Sequence, residues 1–295
     1  MADLIPSSKS ASHWTENDLL AFNIEAVTVN TTQFFGSPEL PPAPVSQTIL
    51  NNLEEPNGPL DTDERLFFKY MGHAEEEDSE SSMNDFASHL LRLLHYDDVA
   101  HLIVTSRRIP FSMSGRQVSA KVNVSVLDHS GDYLLLVEGK RSSSSNFPLP
   151  PLVAKAIAAF HENNVRRTNA GHPLLASKVM SGIALLGTAP IFYHIPVTTA
   201  LVDAVGSGTF PAEATVIERY IPSAGDMQDL MSEGMRPLVN RRIIFQCLEA
   251  FKAALILLDN STYQTESKVF GFKTKESGPR SKCVSAVTKL LLILY

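Results

Sequence analysis

The sequence predicts an α/β fold: a core in the order α-β-β-β-α-β whose strands make a mixed sheet, with additional helices toward the C-terminus. Three observations predict it. Apolar residues at helical spacing follow Ser82, three strand-like runs with short turns lie between His101 and Lys140, and an Ala-rich helical stretch then leads into VMSGIALLG, an apolar run with the length and bounding glycines of a buried strand.

Taken in order, residues 1–79 carry scattered Pro, Asn and Ser, weak periodicity and most of the acidic run EEEDSE at 75–80, which together suggest an acidic, partly flexible N-terminal arm. Within it, DERLFFKYM at 63–71 has the pattern of a short ordered piece that docks on the body. Ser82-Met-Asn-Asp85 resembles a capping box, and Phe86, Leu90, Leu93 and Leu94 continue as a helix to His95. HLIVTS, RIPFSM, VSAKVNVSVL and YLLLVEGK, closed by Ser114-Gly115 and DHSGD, read as a meander. LVAKAIAAFHENN at 152–164 is helical, VMSGIALLG and IFYHIPV are strands, residues 198–206 form a short helix, and ATVIERYIP at 214–222 a further strand. NRRIIFQCLEAFKAALILLD at 240–259 makes a long buried helix, placing the domain at 80–260 and leaving 261–295 as a polar tail with a short C-terminal helix.

Bulk composition narrows the function classes. The chain has 295 residues, 44% hydrophobic and 19% charged, which suits a globular core without staples. Two cysteines exclude a disulfide framework, and no Cys/His spacing resembles a zinc site. The N-terminus lacks a signal-peptide pattern and no apolar run approaches a membrane span, so the expectation is an intracellular protein, cytoplasmic or nuclear, with no membrane partner. Net charge is −7, but it is unevenly spread: residues 1–82 hold 15 acidic and 3 basic side chains, whereas 83–295 hold 17 and 22. A mildly basic body permits phosphate binding.

The chemistry-bearing stretch is VLDHSGDYLLLVEGKR, residues 126–141. Metal-dependent phosphodiester hydrolysis needs carboxylates to hold Mg²⁺ and a cation to orient water and offset developing charge. Glu138 and Lys140 lie two apart on a strand and so project from one face. With the turn centred near 130, residue i pairs with about 261 − i, which sets Asn123 opposite Glu138. Asp128 falls at the turn end, roughly 30 Å from Glu138 along the strand, and reads as a turn-former.

The α-β-β-β-α-β order with Glu-x-Lys closing the third strand resembles the PD-(D/E)XK nuclease fold, that is, a restriction-endonuclease-like core. ESSMNDFASHLLRLL, the VNVSV–LLLVEGKR hairpin, AKAIAAFHENN, GIALLGTAPIFYHIPVT and GMRPLVNRRIIFQCLEAF resemble a large set of uncharacterised fungal proteins, basidiomycete-type above all, that carry this nuclease-like core, over about residues 80–260. The resemblance implies a Mg²⁺-dependent nuclease acting on DNA or RNA. Glu138 is then a metal ligand, Lys140 the water-orienting cation, and Asn123 and Glu80 accessory ligands. The pattern is altered twice: Asn123 stands where the second strand carries an acid, and Pro151 where the next helix often opens with Gln. Losing one negative charge weakens Mg²⁺ binding. The alternative is therefore an inactive pseudonuclease kept as a binding or interaction module, and a third reading is a structural partner protein with no nucleic-acid role.

Other signals read as structural. His89, His95 and His101 do not share a helix face. Arg107 and Arg108 lie on the first strand, where solvation or phosphate contact are both open. Arg166-Arg167, at a helix end, complements the dipole or caps carbonyls, and Arg241-Arg242 reads as an exposed basic pair. GSGT at 206–209 lacks the residues of a nucleotide loop, and no Gly-x-Ser-x-Gly elbow occurs.

Overall fold

The computed structural model describes residues 7–77, 79–140, 148–222 and 227–270. Its elements in chain order begin with α1 (Glu16–Ala21), β1 (Ile24–Thr28), α2 (Thr31–Phe35), α3 (Gln47–Asn51), α4 (Thr62–Glu77) and α5 (Glu80–Leu93). β2 (His101–Met113), β3 (Arg116–Asp128), β4 (Tyr133–Lys140), α6 (Leu149–Asn169), β5 (Ser177–Leu186) and β6 (Ala189–Thr198) follow. α7 (Thr199–Ser207), β7 (Thr215–Tyr220), α8 (Met227–Glu233) and α9 (Leu238–Phe270) complete the described chain.

The strands form one seven-stranded mixed sheet in the order β1-β7-β6-β5-β4-β3-β2. β2, β3 and β4 are an antiparallel meander, while β4 and β5 are parallel, which requires the crossover that α6 supplies. The stretch α5-β2-β3-β4-α6-β5 thus has the order expected from the sequence. Helices cover both faces. On one, Leu152, Ala156, Ile157 and Phe160 of α6 pack with Trp14, Phe22, Leu201 and Val205 against Leu136, Ala184 and Tyr193. On the other, Phe67, Phe86, Phe245 and Phe251 from α4, α5 and α9 pack against Val124, Val137, Ile183 and Phe192. Burial on both faces explains why β4 and β5 read as nearly continuous apolar runs rather than alternating ones.

The region expected to be an arm is woven into this body. β1 pairs in parallel with β7 from Ile24↔Thr215 to Thr28↔Arg219, Trp14 stacks on Phe22 at 5.4 Å, and Phe67 is fully buried. DERLFFKYM is the first part of α4, burying Phe67, Phe68 and Met71. Many of the acidic residues that suggested an arm, among them Glu16, Glu25, Asp63, Glu76 and Glu77, are exposed on these elements, which masks the apolar anchors in a compositional reading. α5 starts before the expected box: Ser79 is its N-cap, its hydroxyl accepting from Ser82 N at 3.1 Å. α9 runs on to Phe270, ten residues into the expected tail, and residues 271–295 lie outside the described ones.

Two features align the site. β2 is a single strand interrupted at Ser106, which takes a left-handed φ of 54° between the pairs Thr105↔Val124 and Arg107↔Val122. The ribbon turns over there: Ala120 and Val122 pack in the α6-side core, while Val124 and Val126, of the same parity, pack in the opposite one. The second feature ties α6 to β4. Asn163 is fully buried, and its side chain both accepts from Tyr133 N at 2.8 Å and donates to Tyr133 O at 3.0 Å, as a neighbouring strand would.

Candidate functional site

The hairpin register follows the expected rule, with Val124↔Val137, Ser125↔Leu136 and Val126↔Leu135, before a bulge moves Leu127 opposite Tyr133. The β3–β4 pairing ends at Val124↔Val137, one residue short of the expected Asn123–Glu138 pair, which is not among the register partners. Asn123 is half-buried, at the position where the ribbon turns over. Asp128 closes the turn as expected, its Oδ1 accepting from Ser130 N and Asp132 N at 2.8 Å each.

Glu138 projects toward α6, and its carboxylate is only 2% exposed. Lys155, from the middle of α6, donates to its Oε2 and is itself 2% exposed. Lys140 lies 3.7 Å from the other oxygen, Oε1, and donates at 2.6 Å to Glu80 at the start of α5. The four side chains thus form a chain, Lys155–Glu138–Lys140–Glu80, running from the buried α6 face to the exposed start of α5. Its charges balance, two negative and two positive. Burial alone would lower the Lys140 pKa, but the hydrogen bond to Glu80 and the charges of Glu138 and Glu80 outweigh it, leaving the pKa above the ordinary lysine value.

The structure therefore brings together Glu80, Glu138 and Lys140 and adds Lys155, which sequence reasoning missed. The signal was present: Lys155 is the one charged residue in LPPLVAKAIAAF, a stretch otherwise fit only for a core. A charge in such a place needs a buried partner, because an unpaired ammonium in low dielectric is costly. Glu138 is that partner. Pro151 lies in the first turn of α6, where a missing N–H costs nothing.

As arranged, these residues do not fit a divalent cation. Mg²⁺ demands near-octahedral oxygen ligation and keeps several waters, whereas each oxygen of Glu138 faces an ammonium and the carboxylate is sealed from solvent. Among the described residues no group of three or more His, Cys, Asp and Glu gathers. A cleft of about 430 Å³ opens beside the strand end, where Gly187 N donates to Lys140 O at 3.0 Å. Its walls include Thr188, Glu75, Met231 and Arg236, and it does not reach Glu138.

A second charged feature lies at the sheet edge. From Val99 to Leu127 the chain has no acidic residue, and Arg107, Arg108, Arg116 and Lys121 of the β2–β3 hairpin are all exposed. Arg108 and Lys121 are register partners, two like charges held side by side. Several other cations are ion-paired, as in Lys9–Asp18, Arg166–Glu162 and Arg236–Glu75, whereas none of the ion pairs among the described residues includes these four.

The remaining candidates are structural. His89 stacks on Tyr70 at 4.9 Å, and burial lowers its pKa. His101 Nδ1 lies 2.8 Å from Asp98. Arg166 donates to Gly131 O at 2.6 Å, capping the β3–β4 turn. Arg241 corrects the expectation of an exposed pair: it has no exposure, and its guanidinium donates to Met235 O at 3.0 Å, Ile49 O at 2.8 Å and Leu53 O at 3.2 Å, beneath the Phe67 ring. Burial pulls its pKa down to about 10. Comparison of the chain with protein-family models and with curated proteins finds no match.

Proposed function

We propose that the chain is a PD-(D/E)XK-like scaffold that has given up hydrolysis and serves as a binding module for the phosphate backbone of a nucleic acid. The observation that carries this reading is the buried Glu138–Lys155 pair: the one carboxylate that a Glu-x-Lys site cannot do without is neutralised and shut away from water and substrate. Asn123 in place of an acid supports the same reading, since the pocket then offers a divalent ion one charge fewer.

Binding is assigned to the β2–β3 hairpin. Like charges directly opposite one another across strands are destabilising, so Arg108 and Lys121 cost stability that an anion would return. Successive phosphates along a strand are such an anion, and counterion release makes the contact strongly salt-dependent.

The test uses the full chain with labelled DNA and RNA, each single- and double-stranded. Incubation with Mg²⁺ or Mn²⁺ is expected to leave every substrate intact. Anisotropy is expected to show binding that weakens with salt, and Arg108→Glu/Lys121→Glu should lower affinity at least tenfold and flatten the salt slope by about two phosphate contacts. Cleavage that disappears in Glu138→Gln overturns the loss of hydrolysis. Affinity unchanged in the hairpin variant, or no binding at low salt, overturns the assignment of the partner.

A further inference from the structure

We infer that the Lys155 ammonium occupies the place a divalent cation would take, so that the pocket around Glu138 carries its own fixed cation. This rests on the proposed descent of the pocket from a metal site, and it goes beyond loss of function. It states what replaced the metal, and by which residue the replacement could be undone.

The geometry points there from three directions. Lys155 comes from α6, which packs on the face toward which Glu138 projects, and it reaches the carboxylate from the side opposite Lys140. A carboxylate 2% exposed needs a counter-charge, and an ammonium 2% exposed needs an acceptor, so each group makes the other's burial tolerable. Finally, the placement is rigid: Asn163, eight residues further along α6, holds both backbone groups of Tyr133 at the start of β4, fixing the helix against the strand that carries Glu138.

An internal ammonium makes the pocket independent of metal supply and neutral overall. It also repels a divalent ion from the oxygens it holds. Shortening Lys155 removes that repulsion and leaves Oε2 of the buried Glu138 carboxylate without its counter-charge, Lys140 remaining 3.7 Å from Oε1 and shared with Glu80. A hard cation would then gain what the ammonium had provided.

The experiment titrates Mn²⁺ alone, followed by its paramagnetic signal, into the full chain and into Lys155→Ala, Lys155→Arg and Lys155→Ala/Glu138→Gln, with thermal unfolding measured at each concentration. The native chain and Lys155→Arg are expected to show no saturable site. Lys155→Ala should gain one site at least roughly a hundredfold tighter than any residual binding in the native chain, with unfolding shifted upward by Mn²⁺, and Glu138→Gln should remove it. A saturable, Glu138-dependent site in the native chain overturns the inference without any variant having to fold. So does a folded Lys155→Ala that binds no Mn²⁺. If Lys155→Ala folds only with Mn²⁺ present, the inference stands, and failure to fold at any Mn²⁺ concentration counts against it. Loss of the hairpin's nucleic-acid binding would remove the proposed function while leaving these titrations unchanged, so the two can fail separately.

Discussion

Replacing Glu138 by alanine strands the Lys155 ammonium. In the native fold that ammonium is 2% exposed and its carboxylate partner equally so. Breaking a buried pair by removing one member costs about 3–5 kcal/mol, because the surviving charge has lost both water and counter-ion. Against a typical domain stability of roughly 5–15 kcal/mol this is a large fraction, and for a chain of this size it corresponds to a fall in Tm of about 6–20 °C. Lys140→Ala is a built-in comparison. That side chain is 15% exposed and its nearer partner Glu80 is 54% exposed, so solvent screens much of the pair and the loss should stay near 1 kcal/mol or below. The double variant Glu138→Leu/Lys155→Met replaces charge by hydrocarbon of similar size and should recover most of the native stability. Urea unfolding followed by circular dichroism measures all of these, and the cycle closed with the single variants Glu138→Leu and Lys155→Met gives the coupling. If Glu138→Ala costs less than about 1 kcal/mol, the carboxylate is not the counter-ion of a buried lysine and the account of the pocket fails.

Arg241→Met should destabilise by about 3–5 kcal/mol, since it orphans the carbonyls of Ile49, Leu53 and Met235, and a chemical-denaturation midpoint unchanged from the native one would contradict that role. Burial pushes the Cys247 thiol up to about 12, so peptide mass spectrometry should find that residue unmodified by iodoacetamide at pH 8 until urea unfolds the chain. The raised pKa also has a pH consequence. The buried thiol contributes stability below the unfolded thiol value of about 8.5, and this is lost as pH rises from there toward the folded value. Deleting residues 1–79 should yield unfolded protein by circular dichroism, because it takes away β1 and the buried Trp14, Phe22, Phe67 and Phe68; a folded truncation would restore the arm reading.

What could be read from the sequence depended on how locally the information was written. The meander, α6 and the β5–β6 pair were legible because each announces itself by a run of one period, and the 261 − i register needed only the turn position. The break between HLIVTS and RIPFSM marks the place where β2 twists at Ser106. β1 was not legible: IEAVT has five residues, and its place at the sheet edge is set by β7, almost two hundred residues away. Arg241 failed for a related reason, since besides Met235 O its acceptors, Ile49 O and Leu53 O, come from the distant segment around α3. At the site, Glu138 and Lys140 could be singled out by spacing. Lys155 could not be assigned to Glu138 without knowing which face of α6 meets the sheet.

The two adjacent asparagines near the end of α6 have an effect beyond their own hydrogen bonds. Asn163 is clamped to Tyr133 and Asn164 to both backbone groups of Leu175, which lies just before β5. The helix is thereby indexed to two neighbouring strands at once, as a key is held by two wards of a lock. A slip of a single residue along its axis would break four bonds together. Any ligand-driven rearrangement of this molecule must accordingly carry α6, β4 and the approach to β5 as one block.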